Sequence, residues 1–464
     1  MLGKVGSLEK SDVILKSTIE KIRSGEVEVN RITKTVLVID EAQDMNADEF
    51  ALISTLMELN EDMRVIAVGD DDQNIYEFRG ASSKYLEQFI TERKATKHEL
   101  IENYRSKNNL VEFTNGFAKK IGHRLKETTI SAKQTDNGNI KLVCYQNGNL
   151  ISPLVHDILT TDLSGTTCVL TKTNDEALQI TGLLLKNGMQ AKLIQSNDGF
   201  GLQNLLEIRS LLNAINLEDE MKVISDEIWA NAKRELKTQF RLSSKLELCE
   251  NLIKQFEESN SKKKYKSDLE VFIRESKLED FYNENGETIF VSTIHKSKGK
   301  EFDNVFLMLE NFNASTDESK RQLYVGMTRA KRNLTIHSNG NYLDNITAEN
   351  LERMEDRGTH LPPNELAMHL SLKDVWLDYF TTRQHLVSGL TSGENLLING
   401  DECTTSKGQS VLRFSRQALN TIEAQRQRGY HLKQAKVNFI VYWLKEGADQ
   451  EIKIVLPELY FEKR

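Results

Sequence analysis

The chain has 464 residues, a formal net charge of −8, 39% hydrophobic residues, four prolines and four cysteines. That length exceeds one ordinary core and implies roughly two to four domains, and the acidic balance excludes global attraction to a polyanion, so nucleic acid would need a local groove or patch. Cys144, Cys168, Cys249 and Cys403 stand singly, which excludes a CxxC pair, a zinc ribbon or an iron–sulphur ligand set.

No apolar run approaches the roughly 20 residues of a membrane span. The N-terminal MLGKVGSLEKSDVILK lacks a basic-then-apolar export pattern, so a reduced, cytoplasmic location is expected.

Short apolar runs that end in polar or acidic residues recur along the chain. They are TVLVI before Asp40, RVIAV before Gly69, CVLT before Lys172, IFVST before Ile294, NVFLM before Leu309 and NLTIH before Ser338. Runs apolar on both faces mark buried parallel strands. Helical patterns such as ADEFALISTLMELN and NNLVEFTNGFAKKIGHRL lie between them, so the class is α/β. From about 217 to 285 the chain is dense in Glu and Lys, with Leu, Ile and Phe at helical spacing, which predicts a helical insertion with solvated outer faces. Within it, NSKKKYKSD (260 to 268) reads as an exposed turn. Pro362 and Pro363 end the α/β pattern. The tail beyond begins with a helical-looking SLKDVWLDYF and ends in two predicted strands, KVNFIVYWL and EIKIVLPELYF, separated by KEGADQ. Between Lys407 and Lys445 eight lysines and arginines face the single acid Glu423, a patch that could meet phosphate or form a solvated face.

Five segments carry chemistry. VLVIDEAQD (36 to 44) sets Asp40 and Glu41 directly after a strand. Phosphoryl transfer from MgATP needs one carboxylate for the metal and one to orient and deprotonate water, although two acids after a strand are equally a polar loop. GDDDQNIYEFRGA (69 to 81) supplies Gln73, whose amide can both donate and accept, and Tyr76, Phe78 and Arg79, a composition that suits stacked bases and phosphate as well as plain packing. ENYRS (102 to 106), TIHKSKGKEF (293 to 302) and LYVGMTRAK (323 to 331) complete the set. No GxxxxGK[ST] loop precedes the first segment, and GKVGS (3 to 7) lacks both the spaced glycine and a preceding strand.

In order, spacing and content these segments resemble the motifs of UvrD/Rep/PcrA-type superfamily 1 DNA helicases over roughly residues 30 to 340. The resemblance implies RecA-like parallel sheets flanked by helices: a partial first motor domain (1–94), a complete second one (95–216 and 286–345), a reduced helical insertion (217–285) and a small α+β accessory domain (360–464). It implies ATP and Mg²⁺ as cofactors, with Asp40 on the metal, Glu41 as base, Gln73 as γ-phosphate sensor, and Arg105 and Arg329 as cations of the second domain. Tyr104 would stack on adenine and Glu301 would bond the ribose. Tyr76, Phe78, Arg79, Thr293 and His295 would contact single-stranded DNA. The sequence departs from the family at Phe78, commonly tryptophan there, and at Lys300, usually apolar. The expected activity is ATP-driven 3′-to-5′ movement on single-stranded DNA, silent in the isolated chain until a phosphate-loop segment is supplied in cis or in trans. The competing expectation is a non-catalytic nucleic-acid-binding or regulatory module. The tail is expected to dock a protein partner or contact DNA, and no membrane is involved.

Overall fold

The computed structural model describes residues 11–60, 62–146, 148–194, 200–215, 223–276, 278–281, 288–445 and 447–463. The GKVGS segment and parts of the expected insertion (217–222, 277 and 282–285) lie outside them. By contact density the chain divides into one unit of residues 1–150, 167–172 and 293–359, and a second of 151–166, 173–292 and 360–464. This division differs from the spans read from sequence. It joins the residues up to 94 to central strands of the second expected domain, and joins the insertion to the tail.

The first unit holds five parallel strands in the order Leu351–Asp356, Asn139–Tyr145, Ala330–Ser338, Phe302–Leu309 and Thr167–Thr171. Thr167–Thr171 is buried at every position and Phe302–Leu309 at all but one, as both-face apolar runs require. Leu351–Asp356 was not legible as a strand. Its sequence LERMED is mostly exposed, and charged residues are what a sheet edge tolerates.

A separate parallel pair, Val36–Ile39 with Arg64–Ala67, precedes these strands in sequence. Here the expectation of burial on both faces fails. Both strands alternate exposed and half-buried, and Val38 is 62% exposed.

The second unit contains a six-stranded antiparallel sheet, ordered Glu365–His369, Glu451–Lys463, Tyr430–Leu444, Asn395–Asn399, Glu402–Thr404 and Ser410–Arg413. Its long hairpin, Tyr430–Leu444 with Glu451–Lys463, matches the two strands expected at the C-terminus. The insertion is helical as predicted, with Asp226–Gln239, Leu246–Ser259 and Lys266–Glu275 packing Trp229, Leu252, Phe256 and Ile273 inward. SLKDVWLDYF is a different case. It forms two short 3-10 turns, Leu372–Asp374 and Leu377–Thr382, because Val375 bridges to Phe414 and Trp376 N donates to Arg413 O at 2.8 Å, which pulls the middle of the run into extended backbone.

The basic tail patch is largely neutralised. Arg413 pairs with Asp401, Arg426 with Glu423, Arg428 with Asp175, Lys433 with Glu462 and Lys445 with Asp378.

Lys245 in this unit donates to Asn438 Oδ1 at 2.8 Å and lies 4.3 Å from the centre of the Phe439 ring. Burial lowers its pKa from 10.5 to about 8. Between those values the unfolded chain holds more protons than the folded one, so stability from this residue rises with pH there and its penalty is complete below pH 8. Lys245→Met is therefore expected to raise the urea midpoint at pH 7 and to lose that gain by pH 10; a gain independent of pH would contradict the assignment. Tryptophan fluorescence suits the measurement, because all three tryptophans, Trp229, Trp376 and Trp443, lie in this unit.

Candidate functional site

Strand ends place most of the motif residues in the first unit. Asp40 and Glu41 follow Val36–Ile39, Gly69 to Gln73 follow Arg64–Ala67, and His295 follows Ile289–Thr293. The ENYRS segment begins with the short strand Glu102–Asn103, which Tyr104 and Arg105 follow, and Arg329 sits between the helix Asp317–Met327 and the strand Ala330–Ser338.

Glu41 adopts a left-handed conformation, φ 50° and ψ 38°. For a residue with a Cβ this costs about 1–2 kcal/mol and persists only where surroundings impose it. The surroundings are visible. Gln43, almost fully buried, donates through Nε2 to Glu41 Oε2 at 2.6 Å and accepts through Oε1 from Asp70 N at 3.0 Å. One amide thus spans the two motif loops. Gly69 makes room for it, since a Cβ there would lie 2.5 Å from Gln43 Oε1 and 3.1 Å from Gln43 N.

Lys298, whose side chain is 7% exposed, is the cation of this cluster. It pairs with Asp44, lies 3.5 Å from Glu41 Oε2, donates to Gln73 O at 2.9 Å and sits 5.2 Å from the centre of the Tyr76 ring. Burial pushes the Asp44 carboxyl above its usual range, with Lys298 opposing the shift. Gln73 donates through Nε2 to Asp70 Oδ2 at 2.8 Å and accepts through Oε1 from Arg329 Nη2 at 2.9 Å, a contact that spans 256 positions of sequence. Arg329 is 2% exposed and is fixed further by the carbonyls of Val325 (3.0 Å) and Lys300 (3.1 Å). Burial, then the nearby Arg105, lower its pKa to about 10, which leaves it charged at neutral pH. The backbone carbonyl of Lys300, a group that any residue there would supply, thus helps to seat this arginine.

Arg105 donates through Nε to Glu301 and through Nη1 to Thr328 O at 3.5 Å. Tyr104 is 70% exposed, with its hydroxyl on Glu102 Oε2 at 2.5 Å. Its ring is open to a planar ligand. Asp40 is exposed and accepts from Glu41 N at 2.9 Å through Oδ1. Among the described residues no three His, Cys, Asp or Glu side chains gather as a metal cage; a single open carboxylate suits Mg²⁺, which binds through one or two carboxylates together with phosphate oxygens.

A second cluster adjoins. Tyr76 donates its hydroxyl to His295 O at 3.1 Å, and Phe78 meets the His295 ring edge-on at 5.7 Å. Arg79 lies 5.3 Å from the Tyr76 ring centre and 5.5 Å from that of Phe78. Phe78 stays 65% exposed, so the packing alternative fails for this ring while Tyr76 is half-buried. Burial lowers the His295 pKa, which favours a neutral imidazole, and Gln322 Nε2 lies 3.3 Å from its Nδ1. Thr293 is buried at the strand end.

A family profile described as the UvrD-like helicase C-terminal domain matches residues 98–222 and 215–341, and one described as the UvrD/REP helicase N-terminal domain matches residues 11–94. The chain belongs to the UvrD-like helicase family. Curated relatives of this UvrD-like chain include the ATP-dependent DNA helicase Rep of Buchnera aphidicola subsp. Acyrthosiphon pisum, 22% identical over 439 residues that cover 72% of this chain and 67% of that one. The ATP-dependent DNA helicase PcrA of Bacillus subtilis is 23% identical over 403 residues, 64% of this chain and 54% of its own. DNA helicase II of Haemophilus influenzae is 35% identical over 89 residues, 19% of this chain and 12% of its own. Among solved structures, the C-terminal domain of a possible DNA helicase from Lactobacillus strain WCFS1 aligns with 54% of this chain and 98% of its own at 15% identity, with a TM-score of 0.28 that bears no weight on the fold.

Sequence reasoning named Glu41, Gln73 and Arg329 but not Gln43 and Lys298, which contact Glu41 and Gln73, nor Asp44, which pairs with Lys298. All three stood inside the quoted motifs, DEAQD and HKSKGKEF. Gly69→Ala is expected to displace Gln43 and to lower stability by about 1–3 kcal/mol, as overpacking at a filled position does; an unchanged urea midpoint would show that Gln43 does not depend on that space.

Proposed function

We propose that this chain is a module of an ATP-dependent DNA helicase that couples ATP hydrolysis to 3′-to-5′ movement on single-stranded DNA. The observation that carries the proposal is the Gln73–Arg329 hydrogen bond, linked through Asp70 and Gln43 to Glu41, because this run of contacts joins a proton acceptor, an amide and a guanidinium from three motifs. The direction of movement rests on the family resemblance alone.

In this reading Asp40 holds Mg²⁺, which supplies charge neutralisation at the phosphate oxygens. Glu41 orients the attacking water and takes its proton. Arg105 and Arg329 meet the charge spread over the transferred phosphoryl group, a task suited to planar guanidinium forks. Tyr104 stacks on the base and Glu301 bonds the ribose. Gln73 reports loss of the γ-phosphate through Arg329 and through its carbonyl to Lys298, and Lys298 touches the Tyr76 ring. Tyr76, Phe78, Arg79, Thr293 and His295 line the strand path, where exposed aromatic rings serve base stacking.

The phosphate-gripping part is supplied in this proposal by a strand, loop and helix that carry GxxxxGK[ST], in cis or in trans. The exposed apolar residues of the Val36–Ile39 and Arg64–Ala67 pair support that need, since parallel strands are otherwise covered on both faces. The test is DNA-stimulated ATPase activity of the chain alone and with that block restored. The expected result is hydrolysis only with the block, reduced by at least about a hundredfold in Glu41→Gln. Activity of the chain alone would overturn the need for the block. No activity in either form, with Glu41→Gln indifferent, would favour the binding module.

For the tail, the ion pairs of Arg426 and Arg428 support a docking face over a DNA grip. Reversing both charges is expected to leave the salt dependence of DNA binding unchanged; a smaller slope would restore the DNA role.

A further inference from the structure

Three consecutive aspartates, Asp70, Asp71 and Asp72, are received by three consecutive residues of one loop. Arg124 binds Asp72 with both arms, Nε to Oδ1 at 2.8 Å and Nη2 to Oδ2 at 2.6 Å; Leu125 N donates to Asp71 Oδ2 at 2.7 Å; and Lys126 Nζ donates to Asp70 Oδ1 at 2.9 Å. The loop turns at His123, whose φ is 51°. Neither Arg124 nor Lys126 touches the groups assigned to the reaction.

Their effect reaches those groups through Asp70. Lys126 occupies Asp70 Oδ1, and the other carboxylate oxygen, Oδ2, an acceptor, takes the NH₂ end of the Gln73 amide at 2.8 Å. The carbonyl end is then left to accept from Arg329 Nη2 at 2.9 Å. The reversed amide would set oxygen against carboxylate and NH₂ against guanidinium, unfavourable at both ends. Asp70 is also fixed through its own N–H on Gln43 Oε1 at 3.0 Å. We infer that Lys126 is a positioning residue for Gln73: through Asp70 it sets which end of the Gln73 amide faces Arg329. The functional meaning of that orientation rests on the helicase reading above, but the orientation itself does not.

The test uses this chain as it stands, labelled with ¹⁵N-glutamine, with the Gln73 side-chain amide signal identified by its loss in Gln73→Glu. In Lys126→Met the signal is expected to shift and its exchange with water to quicken by at least about tenfold, as a released hydrogen-bonded group does. Lys126→Arg is expected to keep the native signal. Asp70→Asn, which adds a donor opposite the amide, is expected to shift it again, and it keeps the test open should Lys126→Met fail to fold. A Gln73 signal unchanged in both Lys126→Met and Asp70→Asn would overturn the inference. Because no nucleotide is used, that failure would leave the hydrolysis reading standing. Conversely, normal hydrolysis by a complete enzyme with Gln73→Ala would sink that reading without touching the amide result.

Discussion

The ammonium of Lys298 is the tie on which the candidate site depends. It is almost fully buried, and it satisfies at once the Asp44 carboxylate, the Gln73 carbonyl and, at longer range, the Glu41 carboxylate, while resting against Tyr76. A buried charge is tolerated only when it is paired and hydrogen-bonded, and removal of one partner from such a group costs about 3–5 kcal/mol. The loops of DEAQD, GDDDQ and HKSKGKEF are thereby held to one arrangement by one cation. Among the described residues the other Asp44 oxygen, Oδ1, is buried without a hydrogen-bond partner.

Around that tie the polar groups divide the work of positioning. Gln43 joins Glu41 to Asp70, and Asp70 joins Lys126 to Gln73. Gln73 joins both Lys298 and Arg329. Each amide sits between an acceptor and a donor, so each has one favoured orientation, and a change at one end is felt at the other. The path from the groups proposed to act in hydrolysis to the aromatic rings is short: the backbone carbonyl of Gln73, the Lys298 ammonium and the ring of Tyr76. This is the physical content of coupling in the proposed motor.

Much of this was legible in the sequence because motif chemistry is local. Two acids after an apolar strand, a glutamine with aromatics and an arginine beyond it, and further arginines near helix ends announce themselves by residue type and spacing. What stayed hidden depended on distant partners. Gln43, Lys298 and Lys126 acquire their meaning from residues 27, 225 and 56 positions away, which no local pattern encodes. The tail shows the same dependence on distant partners: its cations look unopposed along the chain, yet Arg428 finds Asp175 and Lys445 finds Asp378. The strand Leu351–Asp356 escaped notice because an edge needs no apolar face. Val36 and Val38 look like buried strand residues and are exposed, which marks a sheet whose covering is not among the described residues.

The central claim is that Gln73 and Arg329 act as one unit in hydrolysis. A double-mutant cycle on kcat, with Gln73→Ala, Arg329→Ala and both together in the enzyme completed by its phosphate-loop block, measures this directly. The account predicts strong non-additivity, a coupling of more than about 1 kcal/mol, with the double variant little worse than the poorer single one. Additive effects would contradict it.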